Sequence, residues 1–160
     1  MILMRKSLKT GITFGLTSGT ITTLGLMVGL SSSTNSAAIV IGGILTIAIA
    51  DALSDALGMH ISKESARHSA KYVWEATVST FGAKFIYGMT FVIPFLVLGL
   101  ESAVIICIIW GLIVLSTMSY KIGKSNQENP WKAVTEHLLV ALIVIIVTHY
   151  IGLLIVGTFG

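Results

Sequence analysis

Apolar runs alternate with short polar breaks along almost the whole chain, and the runs are long. A hydrocarbon core of about 30 Å needs about 20 apolar helical residues to cross it. Five stretches approach that length: 11–30, 37–57, 81–100, 102–120 and 138–159. The polar run Ser31 to Ser36 ends the first, and a loop with Asn126, Asn129 and Pro130 precedes the last. The second is expected to continue as a cytoplasmic helical extension to about residue 79, since nothing in its polar tail reads as a stop. Pro94 should kink the third span without ending it. The pattern predicts an all-α integral membrane protein, one membrane domain over 1–160 with five transmembrane helices.

Composition agrees. Hydrophobic residues make up 54% of the chain and charged residues 11%, whereas a soluble domain carries about 25% charge. The net charge of +3 comes from scattered Lys and Arg that form no single basic face, so nucleic acid is not an expected partner. Cys107 is the only cysteine, which excludes an intramolecular disulfide and suits a small buried hydrophobe. No nucleotide-binding loop is present, and no constellation suggests covalent chemistry or a prosthetic group, so an enzyme is not expected. The basic start could belong to a cleaved signal peptide, but Thr13, Thr17, Ser18, Thr20, Thr22 and Thr23 make the segment too polar, and a retained helix is expected.

Charge placement sets an expected orientation. Arg5, Lys6 and Lys9 precede the first span; Lys63, Arg67, Lys71 and Lys84 are assigned to the second connection; Lys121, Lys124 and Lys132 lie at the fourth. Positive residues collect on the cytoplasmic side. The N-terminus is therefore expected in the cytoplasm and the C-terminus outside. The host would be a plasma membrane in a prokaryote and an organelle membrane otherwise.

Span one carries glycines every fourth residue, Gly11, Gly15 and Gly19, then Gly25 and Gly29. Such a stripe lets another helix approach closely. A homodimer through span one and packing against span two or five within the chain both fit it.

Asp51 and Asp55 are the most informative residues. They stand i and i+4 on span two and point from one face, with Ser54 beside them. An ionised carboxylate at the centre of a membrane helix costs about 2.5 kcal/mol or more, and two on one face repel. A divalent cation would compensate both, since hard oxygen ligands suit Mg²⁺, Mn²⁺ or Fe²⁺. Lys84 or solvating water could compensate them instead, and capture by Lys84 with no cavity alongside would leave only the topology standing.

At 1.5 Å per residue, Asp51 should lie about 9 Å inside a cytoplasmic exit near Leu57, level with Ser18. The hydroxyls of span one mostly suit bonds to their own backbone, but Ser18 and Thr22 are candidates beside the acids. Met59, one turn below Asp55, could add a thioether. His60, Glu64 and His68, with Glu75, form a candidate cytoplasmic entry. His149 and Tyr150 near the far end suit either release of an ion or proton, or an interfacial belt.

Three segments carry a family resemblance. Residues 18–30, SGTITTLGLMVGL, and 50–65, ADALSDALGMHISKES, resemble the first two helices of the vacuolar iron transporter family. Pro130, Trp131 and VTHYIG at 147–152 resemble its last helix. The resemblance implies a five-helix protomer, a homodimer with its path between the first and second helices of both subunits, and export of Fe²⁺ or Mn²⁺ from the cytosol in exchange for protons. Two departures stand out: the family's first-helix aspartate falls on Ser18, and its second-helix methionine falls on Asp55. Four carboxylates at a dimer axis would make a harder site, tolerant of Mn²⁺ or Mg²⁺ beside Fe²⁺. The connection at about 61–80 is too short for the Glu-rich insert of the plant relatives. The expected function is thus a proton-coupled divalent-metal carrier, set against a non-transporting membrane scaffold or a carrier or channel for another cation.

Overall fold

The computed structural model describes residues 5–159. Six helices follow one another: α1 (Lys6–Thr34), α2 (Ala37–Ser65), α3 (Ala70–Thr90), α4 (Val92–Val97), α5 (Leu100–Ser125) and α6 (Pro130–Phe159). α3 and α4 run on as one span, Ala70–Val97, giving five helices long and apolar enough to cross a membrane. The chain is a multi-pass membrane protein by this architecture.

Local chemistry explains the breaks. Asn35 closes α1 in the left-handed region at φ 48°, which Asn tolerates better than most residues. The Ser36 side chain then accepts from the Ile39 amide to start α2. The expected continuation of α2 to about residue 79 is not found, because the helix stops at Ser65. Arg67 turns left-handed at φ 55°, and the Ser69 side chain caps α3 by accepting from the Tyr72 amide at 3.4 Å. Residues 70–79 therefore open the third span, which begins at Ala70 and not near Phe81. The kink expected from Pro94 is present. Proline has no N–H to offer the Thr90 carbonyl; α3 ends at Thr90 and α4 resumes at Val92, with the Phe91 amide donating to the Gly88 carbonyl in a tighter turn.

The bundle is built around its least apolar span. Half of α1's most apolar window is buried, against 11% in α6. In lipid there is no hydrophobic drive to bring helices together, so close packing and polar contacts decide the order. The glycine stripes of α1 supply that packing inside the chain. A Cβ on Gly15 would stand 2.6 Å from the Thr80 carbonyl oxygen, and Gly11 and Gly19 lie equally against α3. Gly25 meets Val144 of α6 at 2.8 Å, and Gly29 faces Thr148. The span-one glycines are thus consumed by α3 and α6, which removes them from a dimer interface. Packing against span five was anticipated; packing against span three was not.

Apolar core fills one half of the bundle, where Leu24, Met27, Val40, Ile44, Phe91 and Cys107 interlock. The other end is ionic. Glu75 receives Arg5 and Ser7, and Lys9 Nζ reaches Ser125 Oγ at 2.5 Å. Every Lys and Arg except Lys84 lies at this end.

Candidate functional site

Lys84 is not a connection residue. It stands at the middle of the Ala70–Val97 span, and Asp51 is the central residue of α2. With the helix running to Ser65, Asp51 lies about 21 Å from its end at 1.5 Å per residue. A lysine and two carboxylates thus meet near the middle of the bundle, where each charge is most expensive.

Lys84 is 3% exposed, and its ammonium bridges both acids. Nζ lies 2.5 Å from Asp51 Oδ2 and also pairs with Asp55 Oδ2. Ser18 Oγ donates to Asp55 Oδ2 at 2.6 Å and accepts from Lys84 Nζ at 3.1 Å. Three helices therefore meet in one polar knot. The approach of Nζ to Asp51 lacks the angle of a hydrogen bond, so that buried Oδ2 has no hydrogen-bond donor among the described residues. Two carboxylates against one ammonium leave the knot one negative charge in excess. Neither described cavity touches it.

Other expected ligands are elsewhere. Ser54 is exposed on α2 and joins no described polar contact. Met59 is buried below Asp55 and joins no described polar contact. Thr22, like Thr17 and Thr20, bonds back to its own helix, to the Ser18 carbonyl at 3.1 Å. Ser18 alone among these hydroxyls makes no described bond to its own backbone, and it stands where the resemblance places an aspartate. The turn at 66–69 splits the entry residues. His60 Nδ1 faces Thr77 Oγ1 at 3.2 Å and its ring meets Trp74 edge-on. His68 stacks on Tyr72, and Glu64 is exposed. Among the described residues no three His, Cys, Asp or Glu side chains gather where a metal could be held.

One feature of α2 escaped sequence reading. Ala38, Gly42, Thr46, Ala50, Ser54, Gly58 and Ser62 recur every fourth residue, and all are exposed. A Cβ on Gly42 or Gly58 would meet nothing within 4 Å. The four-residue period of small side chains was the available signal; the larger residues between them and the two acids one position along obscured it. Tyr87 was also missed: buried one turn from Lys84, it receives Thr20 Oγ1 at 3.3 Å.

Comparison with models of known protein families and with curated proteins gave no match.

Proposed function

We propose that this chain is a membrane carrier for divalent metal cations, Fe²⁺ or Mn²⁺, moved out of the cytosol against protons, with Lys84 standing in for the cargo between the two acids. The carrying observation is the knot of Asp51, Asp55, Lys84 and Ser18 at mid-bundle. Buried ionic groups are often replaceable by apolar residues at no loss of stability, and three charges inside a membrane are costlier still. Their presence is therefore better explained by use than by packing. The excess negative charge is the second support. A proton on one carboxylate neutralises the knot with Lys84 still paired to the other, whereas a divalent cation balances both carboxylates and so competes with the ammonium for them. The choice of Fe²⁺ or Mn²⁺ rests on the resemblance to the vacuolar iron transporters and on the oxygen-only donor set.

In this reading the N-terminus is cytoplasmic and the C-terminus external, because the basic residues collect at one end. The working unit is a homodimer, paired through the free small-residue stripe of α2. That stripe runs one position before each acid, so pairing there would bring two knots to one axis.

A second reading has its own support. Lys84 already pairs both acids, and no described cavity adjoins them; this is the arrangement under which the sequence alone left only the topology standing, and it suits a non-transporting scaffold whose charges only pin three helices. Reconstituted vesicles assayed for uptake of Fe²⁺, Mn²⁺ and Na⁺, with and without a pH gradient, separate the readings. The carrier predicts divalent uptake accelerated by the gradient; Na⁺ uptake alone would identify a different cation carrier, and no uptake would leave the scaffold.

A further inference from the structure

A cavity at the other end of the bundle is unrelated to the knot. A crevice of about 710 Å³ opens between the last turns of α1, the start of α5 and the outer part of α6. That volume is in the range of small-molecule pockets, far more than an ion needs. Its floor is aliphatic, formed by Val28, Val104, Ile108 and Ile145. Its rim is polar, formed by Ser31, Ser32, Asn35, Glu101 and His149. Exposed Ile105, Ile146 and Tyr150 complete the wall, so the crevice faces sideways, toward where lipid chains lie.

The charges at the rim select an occupant. Glu101, in the first turn of α5, has no hydrogen-bond or ion-pair partner among the described residues. No Lys or Arg lies at this end of the bundle, so an anionic headgroup finds no countercharge, whereas an ammonium does. Ser32 Oγ and His149 Nδ1 share a hydrogen bond of 2.7 Å, which orients the imidazole and leaves its other nitrogen, with Ser31 and Asn35, to meet a phosphate.

We infer that this crevice binds one zwitterionic phospholipid with a primary ammonium headgroup, its ammonium on Glu101, its phosphate on the Asn35 and His149 side of the rim and an acyl chain along Val104, Ile108 and Ile145. A quaternary ammonium lacks the N–H donors that a carboxylate engages at short range, so phosphatidylcholine should bind less well. α2 contributes nothing to the crevice, and the inference is independent of the carrier reading.

Native mass spectrometry of the full chain, extracted from vesicles holding equal phosphatidylethanolamine, phosphatidylcholine and phosphatidylglycerol, tests it. One phosphatidylethanolamine per protomer should be retained in preference to the other two. Glu101→Gln, a surface change that leaves the fold intact, should reduce that preference about threefold, the scale of an exposed ion pair. Ile108→Trp should displace the lipid by filling the floor, with folding checked by helical circular dichroism. Equal or better retention of phosphatidylglycerol, an unchanged preference in Glu101→Gln, or a second copy of the chain closing the crevice without lipid would each overturn the inference.

Discussion

Lys84 Nζ lies 2.5 Å from Asp51 Oδ2, and the two residues stand at the centres of their respective spans. Removing Lys84 strands two carboxylates in a low-dielectric setting, whereas removing Asp51 leaves the ammonium its pairing with Asp55. Breaking one member of a buried pair typically costs about 3–5 kcal/mol, while replacing the whole set by apolar groups is often neutral. Lys84→Met should therefore lower the unfolding midpoint in detergent sharply, and Lys84→Met combined with Asp51→Asn and Asp55→Asn should recover much of the loss. A triple variant as unstable as the single one would show that charge pairing is not what Lys84 contributes.

Ser18 both donates to Asp55 and accepts from Lys84. Ser18→Ala should cost about 1 kcal/mol, the net worth of a hydrogen bond, a smaller effect than Lys84→Met in the same unfolding assay. Thr22→Val should cost less again, since that hydroxyl serves only its own helix.

The small residues of α1 and α2 should respond differently to enlargement. Gly15→Leu drives a side chain into the Thr80 backbone and should prevent folding of the protomer. Gly42→Leu and Gly58→Leu meet open space; each should leave the protomer folded while shifting crosslinking and light scattering from dimer to monomer. Dimers that survive both changes would place the contact elsewhere.

Much of the architecture was legible in the chain because a span's requirement is crude: about 20 apolar residues. The break at 66–69 was not, since Ser69 is a cap only when Arg67 turns left-handed, and neither residue interrupts a helical pattern by itself. That misreading moved residues 70–79 into the wrong element, which in turn placed Lys84 in a connection. The two acids were evident from their spacing. Their partner was evident only as an alternative, because which helix stands across from α2 is a tertiary fact. The glycine stripes announced close packing without naming the partner helix, and of the entry histidines His60 stayed on α2 while His68 fell within a turn not foreseen.

Orientation can be read chemically because Cys107 is buried and should not react with an impermeant maleimide in intact cells. With the N-terminus in the cytoplasm, Gly99→Cys, in open space between α4 and α5, should label from outside. Ser65→Cys, at the opposite end, should label only after permeabilisation. The reverse pattern would invert the topology.

The carrier account stands most directly on flux through the acidic pair. In vesicles containing a pH-sensitive dye, the wild-type chain should take up Mn²⁺ while protons move the other way. Asp51→Asn and Asp55→Asn should each reduce both movements at least about tenfold, the equivalent of roughly 1.4 kcal/mol, with the dimer still assembled. Wild-type vesicles that move neither Mn²⁺ nor protons above the empty-vesicle rate, together with acid variants that fail to assemble, would contradict it and leave Lys84 as a pin.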